Sequence, residues 1–487
     1  MLAIESIRTS VDHKYVGLSP DTRSIKPVHI ANGLFRTLTG KTYDTEMLNR
    51  FVVSQKHDGE IPKGHDLPTI YRWLAENGRI DSREVKEDNL KRFRVLLKKV
   101  VNADDGVYLH KDLMESYSSG YLGFVTRDRI AQSAGEFFGT WLMKRNSPLV
   151  NCIRDSLQQP DDPISILGFP LLDDEPRDFV PKLDFEEVEF FRTSLPSEVR
   201  DLWNGLEEAA ATLSKHLQLH PNKLLRLRLA VLFASFVVIR HLTTLEACYV
   251  PSREKAIPPF LLDFSEKESE PVARASVMSY THACQSISRF YTWAFGEHLR
   301  SQCGTLKEIE AEGVPTYKRT QPKEEWEELW QIALNEARGS DQPYLVCGQA
   351  LYHIMASEAE GDPIRYLRQL GHRSGLMWPP ENFQPAKRFV LQQDMLEVLI
   401  RASVEPGDTI DMHELQRRLW RRFGVVIGGR PEDQQLLLEA GIYQADSSAL
   451  RLNRERFAAR LSNLDFARLL ADGVMQVELE GNHAIGT

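Results

Sequence analysis

The sequence predicts a mainly α-helical chain divided into several domains, and three observations lead there. At 487 residues the chain is too long for one ordinary core. Apolar residues recur at three- and four-residue intervals through most of its length, the spacing of one helix face. The one stretch that reads as a β-hairpin lies close to the C-terminus. Composition agrees: 42% apolar and 26% charged residues are ordinary for a globular protein and argue against disorder. The net charge of −9 excludes a uniformly basic nucleic-acid coat. Five cysteines with no C-x-x-C pair exclude a disulfide framework and the common zinc-finger spacings.

The first expected domain, residues 1–157, is α-rich. Leu67 to Asn77 is a helix stopped by Gly78, Ser82 to Val101 a second, and Ile130 to Lys144 a third. Asn102 to Gly106 is a turn signal ahead of a short apolar run at Val107. Residues 158–189 are rich in proline and hold ten acidic residues against two basic ones, which predicts an extended acidic linker. Ile164, Leu167, Phe169, Leu171 and Leu172 within it suggest a segment draped on a surface.

Residues 190–304 are expected to be a helical bundle. Pro196 to His216 and Val272 to Leu299 have one apolar face each, and Lys223 to Glu246 is apolar all round. The run Leu229 to Ile239 is half the length a bilayer needs, so it reads as the central core helix. The charged N-terminus lacks the form of a signal peptide, and the expected location is cytoplasmic, with reduced thiols and no membrane partner. After a connector at Thr305 to Lys323, residues 323–385 form a helical segment with a polar-rich region.

Residues 386–487 are expected to hold helices at Leu391 to Ala402, Asp411 to Phe423 and Pro431 to Ala440, then a hairpin turning at Asp446, Ser447 and Ser448. Three short helices followed by a β-hairpin resemble a winged helix, and that resemblance implies a module used for DNA or protein contacts. Arg417, Arg418, Arg421 and Arg422 project from one broad side of the second helix. With Arg430 and Arg451 they form the candidate nucleic-acid-binding residues, a phosphate-contacting patch. Against it stand the acids of the third helix, Glu432, Asp433 and Glu439. A second basic run, Lys86, Lys91, Arg92, Arg94, Lys98 and Lys99, follows acids in the order the helix dipole favours.

The polar-rich region concentrates His353, Glu358, Glu360, Asp362, Arg365, Arg368, His372 and Arg373. Leu370-Gly371-His372 looks like the leucine-glycine-histidine box of tyrosine recombinases, but no tyrosine lies between His372 and Tyr443 to act as nucleophile. No phosphate-binding glycine loop, dinucleotide fingerprint, zinc-protease helix or nucleophile elbow is present; Gly424 to Gly429 (GVVIGG) lacks the lysine of a phosphate loop. Trp378, beside Pro379 and Pro380 and near Phe383, reads as a rigid partner anchor or a loop staple.

With no catalytic constellation or cofactor motif, the expected function is non-enzymatic. In general character, though through no motif, the chain is similar to the large subunits encoded with bacterial phage-defence and restriction systems. The missing catalytic constellation, an acidic proline-rich segment able to drape on a partner and a terminal module of a type used for DNA and protein contacts lead to the expectation of a scaffold or adaptor subunit of a bacterial multi-protein complex acting on DNA, with other protein subunits and DNA as partners. The alternatives are a winged-helix DNA-binding regulator using Arg417 to Arg451 and a metal-dependent nuclease using residues 353–373.

Overall fold

The computed structural model describes residues 2–22, 25–42, 46–52, 63–100, 133–158, 169–171, 176–181, 185–251, 257–317, 323–358, 361–380, 386–471 and 473–479. The fold is mainly α-helical, and the described strands are only two to four residues long. The chain forms two compact units, neither continuous in sequence. One comprises Lys26–Lys182 and Ser214–Ala234, the other Met1–Ile25, Leu183–Leu213 and Ser235–Thr487.

In the unit built on Lys26–Lys182, helices Pro27–Thr39 and Ser133–Lys144 are buried on nearly every side. Two glycines let them meet. A Cβ on Gly135 would lie 2.1 Å from the carbonyl oxygen of Ile30, and one on Gly139 would press on Thr37 at 3.1 Å. Beside this pair a second core joins Leu48, Phe51, Ile70, Leu74, Leu90, Leu97 and Leu171. The expected helix at Ser82 begins later, at Glu87. Asp81 accepts a hydrogen bond from the Arg83 amide at 2.9 Å, and its carbonyl accepts from Val85, so residues 81–85 are held in a turn.

Part of the acidic, proline-rich segment packs on this unit, as its apolar residues suggested. Leu171 enters the second core. Arg177–Asp178 pairs antiparallel with Lys41–Thr42, and Lys41 bonds Asp178 at 2.7 Å. Arg36 lies over the Phe179 ring at 4.1 Å. Ile164, Leu167 and Leu172, like the Asn102 to Gly106 turn and the run at Val107, lie outside the described residues.

In the other unit, helices Pro271–Gln302 and Pro343–Ser357 cross at Gly296 and Gly348. A Cβ on Gly348 would lie 2.3 Å from the Thr292 carbonyl oxygen. Helix Lys223–Tyr249, whose last fifteen residues belong to this unit, is the one described helix long and apolar enough to cross a membrane. It is 94% buried over its most apolar window, as a core helix is. The connector expected at Thr305 to Lys323 holds a further helix, Leu306–Glu312. Thr305 and Glu308 cap it reciprocally, a four-residue signal that the sequence reading passed over.

The N-terminal helix Ile4–Val11 runs into a π-helical turn, Asp12–Val16. Asp12 accepts from Tyr291 at 2.7 Å and from Ser19 at 3.1 Å, and Arg8 lies 3.4 Å away. Burial pushes the Asp12 carboxyl up to about 6, against the pull of Arg8. In the same unit Nε2 of His241 donates to the Val16 carbonyl at 2.8 Å, which fixes the proton on Nε2. Burial pushes its pKa down to about 4.

The short strand Phe260–Leu261 lies at the junction with the C-terminal region. It pairs in parallel with Val425–Val426, and Asp263 donates to Phe389 at 2.9 Å. From helix Pro271–Gln302, Ser276 donates to Leu261 at 2.7 Å and Ser279 accepts from the Leu261 amide at 3.1 Å. Buried Arg388 pairs with buried Asp263 at 2.7 Å.

The C-terminal elements are helix Gln393–Arg401, strand Thr409–Asp411, helix Met412–Phe423, strand Val425–Val426, helix Pro431–Glu439, helix Ser447–Asn463 and strands Ala467–Leu469 and Met475–Glu478. The last strand lies between the other two of a three-stranded antiparallel sheet, with Thr409–Asp411 on one side and Ala467–Leu469 on the other. The expected hairpin at 442–452 is not formed. Asp446 accepts from the Ala449 amide at 2.8 Å and caps a helix, so the Asp-Ser-Ser signal starts a helix instead of turning a hairpin. The hairpin lies downstream, at 467–478.

Asn453 fixes that helix to the unit. Its amide donates to Leu262 at 2.9 Å and Ile427 at 2.7 Å, and its oxygen accepts from Phe264 at 2.8 Å. Replacing it by alanine leaves three buried backbone groups without partners, each worth about 1–3 kcal/mol. Asn453→Ala is expected to lower the unfolding free energy by about 3 kcal/mol or more, read as a shift in the urea midpoint with the slope unchanged.

Asp12 and His241 predict opposite pH dependences. The native carboxyl binds its proton more tightly than the unfolded one, so its contribution to stability falls as pH rises from about 4 to about 6. The native histidine binds its proton less tightly, so its contribution rises between about 4 and 6.5. The stability difference between the native chain and Asp12→Asn is therefore expected to favour the native chain more at pH 4 than at pH 7. The change is about 2–3 kcal/mol, measured by urea unfolding at each pH.

Candidate functional site

The six arginines singled out by the sequence stand in different settings. Arg417 and Arg418 both bond Glu414, each at 2.7 Å. Burial pushes the Glu414 carboxyl up, but the bonds from Arg418 and Arg417 outweigh it and hold the pKa below its ordinary value. Arg421 pairs with Glu208 of helix Ser197–Leu219. Arg422 is buried; it donates to the Ala402 carbonyl at 2.6 Å and to Thr212 at 3.2 Å, and Thr212 in turn donates to Glu405 at 3.0 Å. Gly205 makes this contact possible, since a Cβ there would lie 2.5 Å from the Arg421 carbonyl oxygen. Arg430 is folded back onto buried Asp433 at 3.0 Å. Arg451 is exposed, with Glu455 no nearer than 3.9 Å.

Guanidinium groups in these settings serve two purposes. Arg422 and Arg430 satisfy buried oxygens and are out of reach of a ligand, whereas Arg417, Arg421 and Arg451 are open to solvent. The sequence reading missed helix Ser447–Asn463, which carries Arg454 and Arg460, because it placed a turn where that helix begins. The signal that would have found it is the spacing of Leu450, Asn453, Phe457 and Leu461, all buried along one side of that helix.

The polar-rich region is divided between two helices. His353 and Tyr352 lie near the end of Pro343–Ser357, with ring centroids 5.9 Å apart. Glu358 is bonded by Lys323, and Glu360 lies outside the described residues. Asp362 caps helix Pro363–Arg373 through the Ile364 amide at 2.9 Å, and burial raises its pKa. Gly371 packs on Met377, whose sulfur a Cβ would meet at 2.5 Å. Burial lowers the pKa of His372. Among the described residues no group of three or more histidine, cysteine, aspartate or glutamate side chains is placed to hold a metal ion.

Two other motifs have structural uses. Of the second basic run, Arg94 is buried and donates to the carbonyls of Phe51 and His65, and Lys91 pairs with Asp88 at 2.8 Å. The GVVIGG segment supplies the strand Val425–Val426. It then turns at Gly428 and Gly429, both at positive φ, against the helix carrying Leu450 and Arg454. Trp378 stays partly exposed on a two-residue ribbon whose other member, Met377, is buried; Phe383 lies outside the described residues.

The side chain of Arg417 is 73% exposed and that of Arg422 only 8%, which separates their expected effects. Arg422→Ala should cost about 2–4 kcal/mol because it strands the Ala402 carbonyl and opens a space. Arg417→Ala should stay within about 0.5 kcal/mol. Thermal and urea unfolding of the two variants check this.

No protein-family model matches the chain, and no curated protein matches it.

Proposed function

We propose that the chain is a non-enzymatic scaffold or adaptor subunit of a multi-protein complex acting on DNA, and that residues 386–487 are a winged-helix-like docking module. The order helix, strand, helix, helix, hairpin, with the last strand central in the sheet, supports that reading of the module. Strand Val425–Val426 and helix Pro431–Glu439 are then insertions between its second and third helices.

One observation carries the adaptor reading. Five of the twelve large apolar side chains exposed among the described residues fall between 438 and 474: Leu438, Tyr443, Leu452, Leu469 and Val474. Tyr443 is 68% and Leu469 67% exposed. Leu469 and Val474 flank the tip of the hairpin, where the Leu470 amide bonds the Val474 carbonyl at 2.9 Å. Single exposed apolar residues are ordinary, but a concentration of them in a well-packed module is characteristic of a protein-contacting surface.

The test is a pull-down of the tagged full-length chain from its native host, with and without nuclease, read by mass spectrometry. Stoichiometric protein partners are expected to survive nuclease and to be lost, at unchanged thermal stability, from the double variant Tyr443→Ser, Leu469→Ser. Recovery of nucleic acid alone, or partners indifferent to both substitutions, overturns the adaptor reading.

A further inference from the structure

Three aromatic rings meet at the solvent boundary of the unit that holds the N-terminus. Tyr15 comes from the π-helical turn, Tyr249 from the end of helix Lys223–Tyr249 and Trp293 from helix Pro271–Gln302. Tyr249 and Trp293 lie parallel within 5°, their centroids 6.0 Å apart. Tyr15 stands across both, at 64° and 63°, with centroids at 5.2 Å and 5.4 Å. Buried Phe290 backs the three at 5.9 Å to 6.5 Å. Each of the three keeps part of its surface in solvent. The trio therefore has a packed apolar floor and a wet outer side.

The polar groups around the rings are open. Among the described residues nothing lies within hydrogen-bond distance of the Tyr15 hydroxyl or of Nε1 of Trp293, and both atoms reach solvent. Lys14 is exposed, with Nζ 4.8 Å from the Tyr15 centroid, a cation–π contact. Among the described residues no carboxylate lies within ion-pair distance of it. Its electrostatic neighbour His298 is a second base, whose pKa is held down by burial and then by Lys14. The acids of the same helices are engaged: Arg289 holds Glu246 at 3.0 Å, and Arg300 holds Glu297. Glu189, within electrostatic reach of Tyr249, accepts from Thr193 at 2.8 Å.

We infer that this trio is a stacking site for a nucleobase that carries a phosphate, the base lying against the rings and the phosphate drawing Lys14 off Tyr15. A base offers a planar π face to the aromatic side chains, and its ring oxygens and nitrogens accept from the open Tyr15 and Trp293 donors. An apolar protein side chain would cover the rings and leave those donors and Lys14 without partners. A methylated ammonium also favours aromatic surroundings, but Lys14 already supplies the cation and would repel it. Bases within a duplex are stacked on one another, so the ligand is a free nucleotide or a single strand. The site lies outside residues 386–487 and stands independently of the docking module.

The experiment is fluorescence anisotropy of a labelled oligothymidine of about 12 nucleotides with the full-length chain in a salt series. Trp293→Leu is expected to lower affinity about tenfold, and Trp293→Phe, which keeps a ring, to recover most of it. Lys14→Ala should reduce the salt slope by about 0.7, the value for one phosphate of a single strand. Arg417→Ala should leave affinity within about twofold. If Trp293→Leu melts early, Lys14→Ala, at an exposed position, still gives the slope. Thymidine 5′-monophosphate competing as well as unlabelled oligomer identifies a free nucleotide as the ligand; competition by the oligomer alone identifies a single strand. No binding at low salt, equal competition by a duplex of the same length, or unchanged binding in both Trp293→Leu and Lys14→Ala overturns the proposal. Failure here with protein partners still retained in the pull-down would leave the adaptor reading standing.

Discussion

The C-terminal half of the molecule depends on how one short buried segment, residues 258–264, satisfies its backbone. A strand of two residues cannot complete its own hydrogen bonds, and a buried amide or carbonyl without a partner is costly. Partners arrive from five directions. Arg240 donates to Pro258 at 2.6 Å, Ser276 and Ser279 serve Leu261, Phe389 accepts from Asp263, Val425–Val426 pairs alongside, and Asn453 serves Leu262 and Phe264. Elements distant in sequence are thus gathered on seven residues by polar bonds that apolar packing alone would not orient. Hydrophobic burial makes the region compact, and these bonds fix which helix sits where.

The arginines illustrate a related point about charge. A guanidinium has five donors in a rigid plane, so it suits buried carbonyls as well as it suits phosphate. Arg94, Arg240 and Arg422 use that plane to satisfy backbone oxygens in the interior. Arg417, Arg418, Arg421 and Arg430 are drawn to carboxylates of the same chain. The charge left for a partner is consequently smaller than a count along the sequence implies.

Much of the fold was legible because it rests on local signals. Pro271–Gln302 follows directly from apolar periodicity and Lys223–Tyr249 from a run apolar on every side, and the capped helix Met412–Phe423 follows from Asp411 and Glu414. The misreading at 446–452 has a clear physical origin. Asp-Ser-Ser favours turns and helix N-termini alike, since both rest on a side-chain oxygen accepting a nearby amide. The four residues that follow, Ala-Leu-Arg-Leu, alternate as a strand would. Only the longer register through Phe457 and Leu461 separates the two, and Asn453 obscures it by being both polar and buried. The candidate surface was less legible than the fold because it depends on which arginines find internal partners, and those partners lie far away in sequence.

Gly424 ends helix Met412–Phe423 at φ +63°, and a Cβ there would lie 2.0 Å from Nη2 of Arg240. Burial pushes that arginine's pKa down to about 9, and its ring contact is Phe260 at 4.2 Å. The guanidinium occupies the volume that any side chain at 424 would need. In evolutionary terms the two positions form a single unit of variation despite their distance in sequence. A homologue with a short residue at 240 is free to place asparagine or aspartate at 424, whereas one that keeps the arginine must keep the glycine. Where overall similarity has faded, that paired constraint would identify a distant homologue of this chain.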